Sequence, residues 1–313
     1  MEYRILGRTG LRVSLAGLGT GGPSRLGLSA GRSADESARV VHAALDLGIN
    51  FFDTSPAYGG SEERLGAALA GVPRERFVVS TKFPPGRGDQ LKTDPEDLMR
   101  SLEESLRLLR LEAVDVLEYH AVGPDIYRTV MERFHPVALR AQAQGKVRFL
   151  GITETVITDV RHEMLQVAIP EGAFDVVMMK YGILNQSAAQ TVLPLAKEHN
   201  VGVQIMAPVR TSLRNPEEAV NTINRFIDEG LLDAPRPSPE DPLGLGATGD
   251  PVPSLTRAAY QFAAEHEAVS SVLIGTGNVA HLRQNVADLL GPPMTPAQCD
   301  HLRRVYGELA WKA

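Results

Sequence analysis

Short apolar runs alternate with amphipathic segments along most of the chain. Eight of the runs are four to eight residues long, a length that favours buried parallel strands over helices. The predicted strands are 15–22, 50–53, 76–82, 114–120, 146–153, 174–181, 201–208 and 270–277. The segments between them repeat apolar residues at helical spacing, most clearly in 95–111. The chain is therefore predicted to alternate strands with helices.

Eight strands alternating with helices are what a closed parallel barrel requires. Residues 3–14 precede the first of these strands and read as a hairpin, with Arg8, Thr9 and Gly10 at its turn. The predicted fold class is α/β: a (β/α)8 TIM barrel with an N-terminal β-hairpin, forming a single domain over residues 1–313. An open doubly wound sheet is the alternative.

One long segment after strand seven, residues 209–254, departs from the regular pattern. Its first part, 215–232, is predicted to be helical, and the remainder is rich in proline and glycine. We expect this remainder to be a mobile loop without a packed core of its own. The carboxyl end of strand seven faces the end of the barrel where such folds place their chemistry. A lid over a ligand and a plain surface excursion are both consistent with the pattern.

Composition narrows the class of protein. The 313 residues are 43% apolar and carry a net charge of −6 with no block of basic residues, which argues against nucleic-acid binding and favours a small-molecule substrate. No apolar run is long enough to span a bilayer, and the first residues do not resemble a signal peptide, so no membrane association is expected. Cys299 is the one cysteine, so no internal disulfide and no metal site are predicted. We expect a cytoplasmic protein.

Four polar side chains stand at or just past the ends of predicted strands. Asp53 closes strand two, Tyr58 follows five residues later, Lys82 closes strand three and His120 closes strand four. Taken singly, each is more often an ion pair, a capped group or a packed ring than part of an active site. Their joint occurrence where a barrel places its chemistry predicts a proton-transfer site of a carbonyl–alcohol oxidoreductase.

The chemistry of these four groups suggests a division of roles. A tyrosine hydroxyl can exchange a proton with a carbonyl or alcohol oxygen, but its ordinary pKa near 10 makes it a poor base at neutral pH. Lys82 would lower the pKa of Tyr58, and Asp53 would hold the ammonium group charged and oriented. His120 would donate a hydrogen bond to the substrate oxygen. Tyr58 is thus predicted to be the general acid/base.

The chain resembles the aldo-keto reductases in these same segments. GINFFDTSPAYGG followed by SEERLGAAL is similar to the family's strand-two region, and FVVSTK and VDVLEYH are similar to the segments that supply its lysine and histidine. GKVRFLGIT and IGTGNVAHLRQNV resemble its cofactor-binding half, so the similarity runs from about residue 6 to residue 290. The resemblance implies a (β/α)8 barrel, a nicotinamide cofactor extended across its C-terminal face, and Asp53, Tyr58, Lys82 and His120 as the catalytic set.

The resemblance also implies a set of cofactor-binding positions. They are Gly19, Thr20, Thr153, Glu154, Met178, Tyr181, Pro208, Gly275, Thr276, Gly277, Asn278, His281 and Asn285. Most relatives carry Ser-Asn and Gln where this chain has Thr153, Glu154 and Met178, which weakens or rearranges the hydrogen bonds to the nicotinamide carboxamide. Lys180, Asn185 and Gln204 are candidate substitutes. Tyr181 matches the aromatic residue that stacks on the nicotinamide ring.

The choice between the two nicotinamide cofactors depends on the loop after strand eight. A helix N-terminus there suits a phosphate, and relatives that select NADP(H) usually place a basic residue nearby. This chain has Gly277 and His281 at those positions, with Arg283 close by, so no bidentate arginine clamp is evident. We favour NADP(H) slightly, with NAD(H) as the alternative.

The predicted activity is hydride transfer between NAD(P)(H) and an aldehyde, ketone, alcohol or aldose. Thr153-Glu154 and the KYG of strand six resemble the sugar-dehydrogenase branch, which makes aldose oxidation a candidate. Pocket-wall candidates are Thr20, Phe83, Tyr119 and the segment 209–254. A nucleotide-binding barrel of the same fold without turnover, and an isomerase or lyase, are the alternatives. No heptad pattern indicates a partner chain, and the oligomeric state stays open.

Overall fold

A computed structural model describes residues 1–155, 158–210, 212–309 and 311. Its strands are β1 (Tyr3–Ile5), β2 (Arg12–Ser14), β3 (Ala16–Gly19), β4 (Phe51–Asp53), β5 (Val78–Phe83), β6 (Val114–Val122), β7 (Val147–Glu154), β8 (Val176–Lys180), β9 (Gly202–Met206) and β10 (Val269–Gly275). Its helices are α1 (Ala34–Asp46), α2 (Ser61–Leu69), α3 (Asp97–Leu109), α4 (Tyr127–Ala143), α5 (Glu163–Ala168), α6 (Val192–Glu198), α7 (Pro216–Asp228), α8 (Leu255–Glu265), α9 (Val279–Leu290) and α10 (Pro296–Tyr306).

Strands β3 to β10 form a closed parallel barrel in chain order, with β10 paired to β3. The predicted (β/α)8 barrel is confirmed, and so is the N-terminal hairpin, in which β1 pairs antiparallel with β2. The open-sheet alternative is wrong because β10 and β3 share a ladder from Val272–Ala16 to Gly275–Gly19. Since all eight strands are parallel, their carboxyl ends lie at one end of the barrel.

The hairpin closes the opposite end of the barrel. Leu6 and Val13 are fully buried and pack against an apolar cluster formed mainly by barrel strands. The strand members of this cluster are Phe51, Val78, Val116, Val176, Met178 and Leu273. Because this end is filled with apolar side chains, polar chemistry is left to the carboxyl ends of the strands.

The helices cover the barrel with the apolar faces that the sequence predicts. In α3, Leu98, Leu102, Leu106 and Leu109 are all buried, which is one stripe at helical spacing. Helix α1 begins with the predicted capping box, in which Ser33 accepts from the Glu36 amide and Glu36 accepts from the Ser33 amide. Within the described residues, no helix is both long enough and apolar enough to cross a membrane.

The segment after β9 is better packed than its composition suggests. It contains α7, whose Ala219, Ile223 and Phe226 are buried. The expectation that the proline- and glycine-rich part after α7 has no packed core is wrong. Leu243 and Leu245 are buried, and the Leu243 carbonyl accepts a hydrogen bond from His301 of α10. These buried leucines and this hydrogen bond hold the proline-rich part of the segment against α10. Thr211, within this segment, lies outside the described residues.

Candidate active site

The centre of the candidate site is a buried ion pair between neighbouring strands. Lys82 of β5 is 1% exposed and donates to the carboxylate of Asp53 at the end of β4, and also to the carbonyl oxygen of Thr54 at 2.8 Å. Burial alone would lower the pKa of Lys82, but the adjacent negative groups, Asp53 foremost, outweigh it and raise that pKa. The ammonium group is therefore charged at neutral pH.

Tyr58 lies beside this ion pair on a short 3₁₀ turn, Pro56–Tyr58, that follows β4. The Lys82 ammonium nitrogen is 4.9 Å from the centroid of the Tyr58 ring. Burial raises the pKa of the Tyr58 hydroxyl, and the charge of Lys82 opposes that rise. The predicted effect of Lys82 is thus present in direction, but burial exceeds it, so Tyr58 is a neutral proton donor near neutral pH.

His120 faces Tyr58 from β6. The two rings meet edge to face, with centroids 5.6 Å apart and an interplanar angle of 88°. Burial, reinforced by the charges of Lys82 and Arg87, lowers the pKa of His120 to about 3. The imidazole is therefore neutral around pH 7 and carries its one proton on either Nδ1 or Nε2.

Ser55 contacts one nitrogen of His120. Its Oγ lies 3.2 Å from His120 Nδ1 and accepts from the Ala57 amide. Donation from the Ser55 hydroxyl to Nδ1 would give the hydroxyl hydrogen an acceptor, and this arrangement favours the tautomer with the proton on Nε2. Ser55 was not among the predicted site residues, although its place between Asp53 and Tyr58 was a usable signal.

The helix after Tyr58 fixes the position of the turn. The Ser61 hydroxyl at the start of α2 donates to the carbonyl oxygens of Thr20 (3.0 Å) and Tyr58 (3.1 Å). Glu62 accepts from the Thr81 hydroxyl at 2.6 Å and so connects α2 to β5 beside Lys82. On the other side, a Cβ added at Gly21 would lie 2.6 Å from the Tyr58 ring, so this glycine makes room for the tyrosine. Tyr58 is held from two directions.

The positions predicted to bind the nicotinamide carboxamide are already engaged within the protein. The Thr153 hydroxyl oxygen accepts from the Ala121 amide at 2.7 Å, and Met178 lies in the apolar cluster at the closed end. Both carboxylate oxygens of Glu154 are bonded, one to His162 Nδ1 at 2.6 Å and one to the Lys180 amide at 2.8 Å. Of these three, Thr153 is the one bonded to the residue that follows His120 in β6.

A second group of predicted residues lines a small cavity between the ends of β8 and β9. The cavity has a volume of about 30 Å³, and Tyr181, Pro208, Asn185, Arg210 and Trp311 are part of its wall. Within the described residues, Asn185 Nδ2 and Arg210 Nη1 are buried donors without a partner. Tyr181 packs one face against Phe262, with ring centroids 5.8 Å apart. Much of the cavity wall is apolar, and the two unpartnered groups at it are donors.

The third group lies after β10 and begins helix α9. The Asn278 side chain caps this helix by accepting from the Ala280 and His281 amides. Gly277 approaches the loop after β3 so closely that an added Cβ would lie 2.4 Å from the Gly27 nitrogen. His281 and Arg283 are exposed. Gly275, Thr276, Gly277 and Asn278 thus form a tight turn at the open end of the barrel, on the side of β3.

Two expectations about the pocket wall are wrong, and a larger cavity lies away from the site. Phe83 and Tyr119 are each 1% exposed, Phe83 packs against Phe134 of α4, and Tyr119 packs against Phe174, so both belong to the layer between barrel and helices. A cavity of about 640 Å³ lies between the N-terminal strand and helices α8 to α10, lined in part by Met294 and Cys299. It contains none of the four proton-transfer residues.

Glu118 of β6 is another buried group that the sequence reading passed over. It is fully buried, and its Oε2 lies 3.9 Å from the Lys82 ammonium nitrogen. The signal was present, because Glu118 precedes His120 by two residues in a strand and so lies on the same face.

Comparison with known proteins identifies relatives of this chain. A model of the aldo/keto reductase family matches residues 17–306. An L-galactose dehydrogenase of Arabidopsis thaliana is 33% identical over 299 residues, which cover 92% of this chain and 88% of the relative. A D-threo-aldose 1-dehydrogenase of Pseudomonas sp is 31% identical over 300 residues, covering 87% and 89%. A holo-form aldo-keto reductase from Bacillus halodurans, at 22% identity, shares the fold with a TM-score of 0.74 over 100% of this chain and 97% of that one.

The family match covers residues 17–306, and the two relatives described above are dehydrogenases. The buried Asp53–Lys82 pair beside Tyr58 and His120 lies where a barrel of this kind carries out its chemistry. On these grounds the chain is an NAD(P)-dependent oxidoreductase and belongs to the aldo/keto reductase family.

Proposed function

We propose that this protein transfers a hydride between NAD(P)(H) and a small carbonyl compound or its alcohol, with Tyr58 as the general acid/base. The observation that carries the proposal is the contact of Tyr58 with both Lys82 and His120, at 4.9 Å and 5.6 Å between the groups. One neighbour stabilises a phenolate and the other supplies a neutral hydrogen-bond donor. An apolar structural cluster would require neither.

The residues at the open end of the barrel fit a nicotinamide cofactor. Tyr181 offers an aromatic ring, and the unpartnered donors Asn185 Nδ2 and Arg210 Nη1 suit the amide and phosphate oxygens of such a molecule. The cavity of about 30 Å³ admits water but not a nicotinamide ring, so the cofactor must lie across its opening or displace the loop after β9. Ala207 and Arg210 in that loop have φ of 55° and 46°, a left-handed conformation that side chains disfavour.

We further propose that Thr153 and Asn185 replace the usual partners of the carboxamide. Asn185 has the free donor, and the Thr153 hydroxyl retains its hydrogen to donate. Glu154 acts indirectly, because its carboxylate holds His162 and the Lys180 backbone in place. Gly19, Thr20, Pro208 and the turn 275–278, with His281 and Asn285, complete the proposed cofactor surface.

The protein's own groups move the proton. In the direction of reduction, the Tyr58 hydroxyl donates its proton to the substrate oxygen, and the ammonium group of Lys82 stabilises the resulting phenolate. His120 donates from Nε2 to the same oxygen and stabilises the negative charge that develops there. The bound nicotinamide supplies the hydride, or accepts it in the reverse direction.

We keep NADP(H) as the first cofactor candidate and NAD(H) as the second. Arg283 and His281 are the basic side chains at the start of α9, and both are exposed. An exposed cation on a 2′-phosphate contributes little more than a surface ion pair, about 1 kcal/mol or less. The expected preference for NADP(H) is therefore modest, less than about tenfold in Kd.

Sugars are the first substrates to test. The two relatives described above are named as an L-galactose and a D-threo-aldose dehydrogenase. We propose aldose oxidation at the anomeric carbon, which gives a lactone, as the preferred reaction, with reduction of an aldehyde or ketone to its alcohol as the alternative. The segment 209–254 is proposed to be the lid over the substrate, because its α7 contacts Trp311 at the cavity through Phe226.

Fluorescence titration with NADPH and with NADH tests the cofactor site. Trp311 is the one tryptophan of the chain and lines the cavity, so a bound nicotinamide should quench it. Saturable quenching by both, with Kd values within tenfold of each other, is the expected result. Folded protein that binds neither would refute the proposed function. Binding without turnover of any aldose, aldehyde or alcohol would favour the non-catalytic barrel.

A further inference from the structure

A second carboxylate lies under the lysine of the site. Glu118 of β6 pairs in register with Lys82 of β5, and its Oε2 is 3.9 Å from the ammonium nitrogen. Both side chains are inaccessible to solvent. The ammonium group of Lys82 is therefore flanked by two carboxyl groups, Asp53 in direct contact and Glu118 slightly further away.

The surroundings of Glu118 suit a group that changes its protonation state. Gln204 of β9 donates from Nε2 to Glu118 Oε1 at 3.2 Å. Turned over, the same amide would accept a hydrogen bond from a protonated Glu118. Gly151 of β7 gives the side chain room, since an added Cβ there would lie 2.9 Å from Glu118 Cγ. Gln204 can thus form a hydrogen bond with Oε1 in either form of the carboxyl group, while Oε2 has no hydrogen-bond partner among the described residues.

Charge balance determines which form is present. The groups that face Glu118 are Lys82 from β5, Asp53 from β4 and, beyond them, Tyr58; Gln204 and Gly151 carry no charge. One ammonium group can balance one buried carboxylate, and Asp53 is the one in direct contact. Burial, opposed by Lys82, raises the pKa of Glu118 to about 8. Glu118 is therefore neutral at pH 7 and gains a charge at mildly alkaline pH.

We propose that Glu118 is a positioning residue whose charge, acting across Lys82, sets the pH at which Tyr58 exchanges its proton. When Glu118 is neutral, the field of Lys82 is shared with Asp53 alone and favours the Tyr58 phenolate. When Glu118 ionises, the added negative charge opposes the phenolate and raises the pKa of Tyr58. The proposal rests on the proposed role of Tyr58 as acid/base.

The consequence has a definite sign. Tyr58 ionises only above the pH at which Glu118 is already charged, so removing that charge should make Tyr58 the stronger acid. Glu118→Gln reproduces the size and hydrogen bonding of the neutral acid. We expect it to lower the pKa of Tyr58 by about one unit. The alkaline pH at which carbonyl reduction declines should fall by the same amount.

NMR of the protein without cofactor tests the coupling independently of turnover. Carboxyl-labelled glutamate and ring-labelled tyrosine are titrated in the unaltered protein, in Glu118→Gln and in Tyr58→Phe. The signal lost in Glu118→Gln is that of Glu118, and the signal lost in Tyr58→Phe is that of Tyr58. The expected result is a Glu118 signal that titrates near pH 8. The Tyr58 signal should titrate about one unit lower in Glu118→Gln. A Glu118 that titrates with ordinary glutamates, or an unchanged Tyr58, would overturn the proposal.

Asp115 provides a matched control on the same strand. It is also fully buried, but its carboxylate pairs with Arg74 and Arg148 at the other end of β6. Asp115→Asn should lower stability and leave the titration of Tyr58 unchanged. If Glu118→Gln folds poorly, Glu118→Met removes the charge at similar volume, and the same one-unit shift is required of it. A protein that shows the coupling but no hydride transfer would refute the proposed function and leave the coupling standing.

Discussion

Replacing Lys82 by methionine should separate the electrostatic role of the lysine from its structural one. The ammonium nitrogen lies 4.9 Å from the Tyr58 ring centroid. At an effective dielectric constant of about 20, a unit charge at that distance stabilises a phenolate by about 3 kcal/mol, or about 2.5 pKa units. In Lys82→Met the phenolate available as base for alcohol oxidation should therefore fall about 300-fold at neutral pH.

The same substitution should also destabilise the fold. Asp53 is 3% exposed and would be left as a buried carboxylate without its cation, at a cost of about 3–5 kcal/mol. The double variant Asp53→Asn/Lys82→Met removes both charges. It should recover most of the lost stability in chemical denaturation without recovering the lost activity, since the phenolate still lacks its cation.

The assay is the single-turnover rate of alcohol oxidation as a function of pH, at saturating cofactor. The profile of Lys82→Met should be displaced to higher pH by about 2.5 units relative to the unaltered protein. A profile that overlays that of the unaltered protein, or a double variant that regains both stability and activity, would show that Lys82 only holds the structure together.

Four further predictions follow from the geometry. Tyr58→Phe should lower kcat by about 10²–10⁴-fold and leave the Kd for NADPH, measured by Trp311 quenching, nearly unchanged; near-normal turnover would refute the tyrosine role. Because burial lowers the pKa of His120 to about 3, ¹⁵N NMR should show a neutral imidazole protonated on Nε2 from about pH 5 to about pH 8, and a titration in that range would contradict the assignment. His120 stays neutral in the folded protein but is protonated in the unfolded chain below about pH 6.5, so the free energy of unfolding should fall as the pH falls below that value. Ser55→Ala should not abolish this pH dependence. Gly66→Ala would place a Cβ 2.3 Å from the Leu108 carbonyl oxygen and should cost about 1–3 kcal/mol in unfolding free energy, and an unchanged value would mean that α2 and α3 can separate freely.

Much of the architecture was predictable because a parallel barrel imposes a simple pattern on its sequence. Each strand is buried on both faces and appears as an apolar run, and each helix shows one apolar stripe. Polar residues that interrupt this pattern at strand ends, such as Lys82, could therefore be identified without a structure. Their meeting at one end of the barrel follows from all strands running in the same direction.

Other features depended on contacts between distant residues. Helix α10 was not predicted, although Thr295 and Gln298 form the capping box that begins it. The packing of the 231–254 segment depends on leucines that dock on α10, which proline and glycine content does not reveal. Glu154 could be identified as a departure from its relatives, but its hydrogen bond to His162, eight positions later in the sequence, could not.

The polar side chains inside the barrel were the hardest part of the structure to predict from the sequence. Glu118 and Gln204 stand in apolar strands, and each is explained only by the other and by Lys82. A buried carboxyl group in a strand is costly unless it is paired or neutral. A charged residue inside an apolar run is therefore itself an indication of a functional group, and Glu118 in the strand VDVLEYH is such a residue.

Following one labelled hydride tests most directly whether this protein transfers a hydride with Tyr58 as its acid/base. The protein is mixed with NADPH or NADH deuterated at the transferable position of the nicotinamide, together with an aldehyde or an oxidised aldose, and the product is analysed by mass spectrometry. We expect one deuterium on the former carbonyl carbon with the unaltered protein, and very little with Tyr58→Phe at equal cofactor occupancy. Saturable cofactor binding with no deuterium in any product, or equal labelling by Tyr58→Phe, would contradict the proposed hydride transfer.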